Sequence, residues 1–352
     1  MVARGAFQVK DQVLLQQRYL AAAIQPSRVP EMTTSRVIIG DAEACLKDLP
    51  AESVHAIVTS PPYWFLRDYR VKGQIGLEPT IDQYVRRLVK VFRRARRVLR
   101  HDGTLWLILG DSYIGSGKAA GQRDVRQFGT RARSSRQNVR VATPASSHLA
   151  PKNQAGIPWR VALALQRDGW LLRCDVIWHK PNCTPESVKD RPTRCHEYMF
   201  LFSKSRRYYY DSDALREPHM ASSLRRMKYP HRPPPGSIAP RGRSNSLRSI
   251  DMCHPLGKNK RSVWTVPVAL FKGPHYAVFP PKLIEPCILA GCPLGGTVLD
   301  PFVGSGTTIE VALANGRNAI GIDIDPKSRD LIARRLEKLK SKVYADNLLV
   351  RN

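Results

Sequence analysis

No run of apolar residues in this 352-residue chain approaches the ~18 that cross a bilayer, so nothing reads as a membrane span. Acids are scarce. The sequence holds 29 Asp and Glu against 57 Lys and Arg, a formal net charge of +28. An excess this large calls for a polyanionic partner, and nucleic acid is the usual one. Cysteines are few, odd in number and scattered: seven, with no CxxC pair. That excludes a disulfide framework and reads as reduced thiols in a cytoplasm. Cys174, Cys183, Cys195 and His196 lack the knuckle spacing of a zinc site, and no metal is expected. No internal repeat occurs. With 42% hydrophobic residues the chain has enough for a sizeable core, which excludes global disorder and suits one large or two modest domains.

What is present is an alternation of apolar runs and amphipathic stretches. Val37–Gly40, Val54–Thr59, Thr104–Leu109, Cys174–His179, Tyr198–Phe202, Thr297–Leu299 and Ala319–Ile322 read as seven strands, most ending in polar or turn residues. Buried parallel strands have this pattern, and open α/β sheets bind ligands at that C-terminal edge. Tyr84–Leu99 places Val85, Leu88, Val89, Phe92, Ala95 and Leu99 on one helical face. Its other faces carry Arg86, Arg87, Lys90, Arg93, Arg94, Arg96, Arg97 and Arg100 with no intervening acid, which points to phosphate contact. Asp330–Lys342 is a second amphipathic helix. The expected class is therefore α/β, with helices on both faces of a sheet.

Three stretches break the pattern. Residues 1–34 form an N-terminal extension whose apolar stripe (Val9, Val13, Leu14, Leu20, Ala21, Ile24) predicts a helix docking on the body. Residues 115–155, rich in Gly, Ser, Arg and Gln, read as a mobile basic loop between a 35–114 segment and the later strands of 156–204. Residues 205–261 read as a small, irregular recognition region, with 14 Lys/Arg against 4 Asp/Glu between Lys204 and Arg261. Arg225, Arg226, Lys228, Arg232, Arg241, Arg243 and Arg248 are its candidate DNA contacts, because arginine is the usual donor to guanine in the major groove. Residues 262–352 close the chain.

Two motifs carry chemistry. Thr59-Ser60-Pro61-Pro62-Tyr63-Trp64 follows a strand directly. Two prolines end the ladder and hold the backbone stiff, with their carbonyls expected to be unpaired. The Ser60 oxygen and Pro61 carbonyl could then accept both hydrogens of an aromatic amino group and free its lone pair for attack on an electrophile. Tyr63 could stack on the base, which must leave the duplex to reach this edge. The second motif, Val298 through Thr308 (VLDPFVGSGTT), is a strand, a glycine-rich turn and a helix start over Ile309–Ala314. Its glycines permit close backbone approach and its helix N-terminus can bind a carboxylate. Asp323 ends the next strand, where a ribose diol is held in nucleotide sites. A nucleotide-like cofactor is implied.

Together SPPYW and DPFVGSGTT resemble the S-adenosylmethionine-dependent DNA amino-methyltransferases. Their order, catalytic motif first and cofactor loop last, resembles the β group, whose Rossmann-like class I methyltransferase sheet is circularly permuted. Ile39-Gly40-Asp41, Gly103–Leu107 through Tyr113, Trp178–Asn182, His196-Glu197-Tyr198, Phe202-Ser203-Lys204 and His275–Pro280 extend the likeness. The resemblance implies S-adenosylmethionine as cofactor, held by Asp41, Phe279, Asp300, Pro301, Phe302, Gly304, Ser305, Gly306, Thr307, Thr308 and Asp323. It implies that Ser60, Pro61, Pro62 and Tyr63 are catalytic, holding a flipped base for direct transfer without a cysteine nucleophile. Within the family a first-position serine such as Ser60 is commoner among cytosine-N4 enzymes, so cytosine N4 in duplex DNA is the expected target. Adenine N6 is the alternative, and a non-catalytic basic DNA-binding protein a remoter one. A bacterial or phage cytoplasmic enzyme, self-pairing, and a separately encoded restriction endonuclease are further expectations of the resemblance.

Overall fold

The computed structural model of the protein describes residues 33–115, 149–223, 254–268 and 279–349, with side chains to 339. The expected N-terminal helix, most of the basic loop and all seven candidate DNA contacts from Arg225 to Arg248 lie outside the described residues. The larger of two compact units holds the described residues of 30–210 and 262–352, and the smaller those of 211–261. In the smaller unit Glu217 and Lys258 exchange backbone hydrogen bonds at 2.9 Å, and Arg216 is fixed by Asp213 at 2.6 Å and the Gly257 carbonyl at 3.0 Å.

In the larger unit, strands β1 (Ser35–Ile39), β2 (Val54–Thr59), β3 (Leu99–Leu109), β4 (Leu171–His179), β5 (His196–Ser203), β6 (Val263–Thr265), β7 (Thr297–Asp300) and β8 (Asn318–Asp323) form one sheet. Its spatial order is β1-β8-β7-β2-β3-β5-β4-β6. All seven expected strands are present; the expected count is corrected to eight by β6, which pairs in parallel with β4. The sheet is mixed because β5 runs antiparallel to both its neighbours, β3 and β4. Helices α1 (Ala42–Asp48), α2 (Ile81–Val98), α3 (Ile157–Arg167), α4 (Pro281–Gly291), α5 (Thr307–Ala314) and α6 (Lys327–Leu349) accompany it. Among the described residues no helix is long and apolar enough to cross a membrane.

Helix α2 shows how sequence sets position. Thr80 and Gln83 form a reciprocal capping box at its start, and the chain passes straight into β3 at its end. Its fully buried face is Ile81, Tyr84, Leu88, Val91, Phe92, Ala95 and Val98, rotated slightly from the expected stripe so that Val85 and Val89 sit at its margin. Each large apolar side chain buried there stabilises the fold by about 1.5–3 kcal/mol.

Much of the basic surface of α2 is engaged within the fold, although Arg87, Arg93, Arg94 and Arg100 stay partly exposed. Arg97 donates to the Leu46, Lys47 and Leu49 carbonyls at 2.6–3.0 Å, closing the C-terminal end of α1. Arg93 pairs with Asp168, Arg94 with Glu43, Arg100 with Asp102, and Arg87 with Glu78 and the Gly73 and Gln74 carbonyls. Arg96 reaches the Lys204 carbonyl at 3.4 Å. Asp168, Glu43 and the Lys204 carbonyl come from distant sequence, so the run of bases reads alone as uncompensated charge.

The central pairing is β2 with β7, through Ala56↔Val298 and Ile57↔Leu299. From β2 the chain continues to its neighbour β3 on one side, and from β7 to its neighbour β8 on the other. The connections therefore diverge between β2 and β7, leaving a crevice beyond their C-terminal ends where ligands bind in such sheets.

Candidate active site

Segments following five strands converge on that crevice and line one cavity of about 740 Å³, within the ~300–1,000 Å³ range of small-molecule sites. Gly40–Ala42 enter after β1, Ser60–Tyr63 after β2, Lys180–Glu186 after β4, Pro301–Ser305 with Thr307 after β7, and Asp323–Asp325 at the end of β8. Phe279, just before α4, also lines it. The two expected motifs are thus brought to one cavity from opposite ends of the chain.

The Ser60–Trp64 segment divides its labour. Trp64 is buried and donates to the Glu78 carbonyl at 2.9 Å, anchoring the turn. The Tyr84 hydroxyl donates to the Pro62 carbonyl at 2.8 Å, which corrects the expectation that both proline carbonyls are free. Among the described residues the Pro61 carbonyl makes no hydrogen bond, so one acceptor remains for a ligand. Ser60 Oγ donates to Tyr63 Oη at 3.3 Å, and Tyr63 Oη donates to Glu197 Oε2 at 2.7 Å. Burial and the nearby Glu197 carboxylate push the Tyr63 phenol well above its usual pKa, so it stays protonated. Tyr63 packs its ring edge onto Gly110 at the end of β3. A Cβ there would lie 2.4 Å from the ring, so only glycine admits it.

The glycine-rich turn is organised by two acids. Asp323 accepts from the Gly304 amide and, through its other oxygen, the Asp325 amide, both at 2.8 Å. Burial raises its pKa to about 6 despite those bonds. Gly306 caps α5 in the left-handed region at φ 84°, and a Cβ on it would meet Ile332 at 2.7 Å. At the first turn of α5 Thr307 lines the cavity, and its buried hydroxyl has no hydrogen-bond partner among the described residues. An orphaned buried hydroxyl costs about 1–3 kcal/mol unless a ligand satisfies it.

Three of the expected cofactor contacts, Asp300, Gly306 and Thr308, do not line this cavity. Asp300 is 1% exposed and does not line the cavity. It accepts from Thr59 Oγ1 at 2.6 Å, Thr308 Oγ1 at 2.6 Å and the Phe302 amide at 3.0 Å, tying the end of β2 to the start of α5. Burial raises its pKa to about 6 as well. Thr308 therefore points at Asp300, and Gly306 serves the turn rather than the cavity wall. Asp41 lines the cavity while capping α1 through the Ala44 amide at 3.0 Å.

Lys180 and Glu197 carry no motif in the sequence that marks a role. Lys180 lies over the Trp178 ring, 4.3 Å from its centroid, and pairs with Glu197 Oε1. Arg194 also lines the cavity; its guanidinium lies 3.7 Å from Asp111 and its amide 3.5 Å from Glu186. The available signal was a charged residue opening an otherwise apolar strand, as in His196-Glu197-Tyr198-Met199-Phe200.

Residues 54–334 match the family model of the N6/N4 DNA methylases. The chain is 43% identical over 305 residues to the type II methyltransferase M.SmaI of Serratia marcescens, covering 87% of this chain and 91% of that one. Its fold resembles the cytosine-N4-specific PvuII DNA methyltransferase with a TM-score of 0.57 at 19% identity, over 88% of this chain and 91% of the other. It also resembles a Thermus thermophilus protein described as a putative DNA modification methylase and solved with S-adenosyl-L-methionine, with a TM-score of 0.52 at 21% identity, over 87% and 94% of the two chains.

Proposed function

The chain belongs to the N6/N4 DNA methylase family, and on that premise we propose that it methylates the N4 amino group of a flipped cytosine at a specific site in duplex DNA. The observation that carries this reading is the meeting of the Ser60 hydroxyl and the unengaged Pro61 carbonyl with the glycine-rich turn in one cavity.

The cavity fits S-adenosylmethionine by its donor set. The unpartnered Thr307 hydroxyl and the start of α5 suit the methionine carboxylate. Asp323 suits the ribose diol, Asp41 the adenine side, and Phe279 and Phe302 offer apolar cover. When bound, the cofactor supplies a methyl group on a sulfonium centre. The protein's part is positional. Ser60 Oγ and the Pro61 carbonyl accept the two amino hydrogens, drawing the nitrogen lone pair out of conjugation and aiming it. The Tyr63 ring, held against Gly110, supports the base. Orientation of this kind supplies most of the rate in a direct transfer.

Cytosine rather than adenine is supported by serine in the first position of the motif. The strong positive charge supports a phosphate backbone as the substrate scaffold. The recognition residues fall to the 205–261 region in this reading, and the relatives' type II character supports a restriction partner encoded elsewhere.

The test incubates the purified protein with S-adenosylmethionine and unmethylated genomic DNA, then identifies the digested nucleosides by mass spectrometry. N4-methylcytosine is expected, and its loss in Ser60→Ala with cofactor binding intact. N6-methyladenine would keep the family and overturn the choice of base.

A further inference from the structure

Glu197 sits at the start of β5, opposite Trp178 of β4 in the sheet register. It is 17% exposed, as is Lys180, and both of its oxygens are engaged. An ionised carboxylate can only accept hydrogen bonds. Lys180 therefore donates to Oε1, and the single proton of Tyr63 is committed to Oε2. With its proton spent, Tyr63 Oη can only accept from Ser60. The Ser60 proton then points at Tyr63, and the remaining Ser60 lone pairs are left for the cavity. The direction of the whole chain is set at its far end by a charge that cannot donate.

We propose that Glu197 is a positioning residue that, through Tyr63, holds the Ser60 hydroxyl as an obligatory hydrogen-bond acceptor towards the target base. This rests on the methyltransferase reading of the cavity and deepens it. A free serine hydroxyl donates or accepts with equal ease, and would greet an amino group or a keto oxygen alike. Held as an acceptor, it engages only a base that presents N–H there and repels the carbonyl oxygen of thymine or uracil. Lys180, itself seated on the Trp178 ring, occupies the second carboxylate oxygen and keeps Glu197 from turning away. Selection of an amino-bearing base is thus built partly from a residue 134 positions away from the motif that touches it.

Single-turnover methyl transfer, with enzyme in excess over unmethylated genomic DNA and labelled S-adenosylmethionine, tests the chain. Tyr63→Phe and Glu197→Gln each remove the enforced direction and should slow transfer by about 10–100-fold. Cofactor affinity by equilibrium dialysis should stay at the wild-type value, and each variant should keep a single cooperative melting transition, lowered by no more than a stranded hydrogen bond costs. Ser60→Ala, costly in the wild-type background, should cost little more in Tyr63→Phe, because the hydroxyl it deletes is no longer held. Transfer at the wild-type rate in Tyr63→Phe, or fully additive penalties in the double variant, would overturn the inference while leaving the methyltransferase reading standing. A fall in cofactor affinity matching the fall in rate, or loss of the cooperative melting transition, would also overturn it, by showing a merely structural role. An inactive wild-type protein would overturn the functional reading and this inference together.

Discussion

Replacing Asp300 with asparagine should stabilise this protein at pH 8, although it removes a carboxylate that makes three hydrogen bonds. Asp300 is walled in at 1% exposure, and its pKa rises from 3.8 to about 6. Burial outweighs the bonds from Thr308, Thr59 and the Phe302 amide, and the neighbouring charge of Asp323 adds to the rise. At 1.36 kcal/mol per unit, carrying the charge above pH 6 costs about 3 kcal/mol. For an acid whose folded pKa is raised, the stability it contributes is fully present below its unfolded pKa and lost as the pH climbs through the folded one. Asparagine keeps the geometry without the charge. Its Oδ1 can accept from Thr59 and the Phe302 amide, which share Asp300 Oδ1. Its Nδ2 can donate to Thr308, whose hydroxyl need only rotate. The expected gain is up to about 3 kcal/mol at pH 8, falling by about half at pH 5. Asp300→Ala should do the opposite. At about 2 kcal/mol for each of three stranded donors, the loss outweighs the relieved charge by about 3 kcal/mol. Urea unfolding of the three proteins at pH 5, 6.5 and 8 measures all of this. If asparagine destabilises as much as alanine at pH 8, or if its effect ignores pH, the assignment of a buried, charge-strained hub is wrong.

Asp323, also raised to about 6 by burial, should make cofactor binding pH-dependent in the opposite sense. Its ionised form is the acceptor, so the S-adenosylmethionine dissociation constant should rise as pH falls through about 6, by up to tenfold per unit. Titration calorimetry between pH 5 and 7.5 reads this, and Asp323→Asn should bind weakly with a flat profile. Arg97→Ala should cost about 1–3 kcal/mol of stability by stranding three α1 carbonyls, and should leave the salt dependence of DNA binding unchanged. A salt slope reduced by about one would instead make Arg97 a phosphate contact.

Much of the sheet was legible because a strand buried on both faces must be largely apolar, as Val54–Thr59 is but for His55 and Thr59. Strand β6 was not: three residues with Val263 and Thr265 exposed carry no apolar run, and only pairing with β4 makes them a strand. The reversed direction of β5 was equally hidden, since local pattern fixes which face is buried but not which way a strand runs. The two motifs were legible because backbone chemistry at consecutive positions, prolines in one and glycines in the other, signals a special turn. What escaped were partnerships across sequence. Asp300 looked like a ligand contact because its motif is one; only the fold reveals that Thr59 and Thr308 enclose it. Lys180 and Glu197 each looked ordinary; only the fold pairs them and sets Glu197 against the Tyr63 hydroxyl.

The β2–β7 pairing also has a consequence for how the molecule comes into being on the ribosome. Thr59 and Asp300, which join across that pairing, are 241 residues apart. At about 5–20 residues per second, synthesis of the intervening chain takes on the order of 10–50 s. Through that interval β2 can pair with β3 while its other edge, a largely apolar strand with unspent backbone groups, waits for a partner not yet made. Such an edge is a template for wrong pairing. The glycine-rich turn is completed on the same late segment, so cofactor cannot bind and rescue the waiting edge early. The nascent chain therefore passes through a window in which it is both inactive and adhesive, and slow translation or crowding would widen that window without altering a single contact of the finished fold.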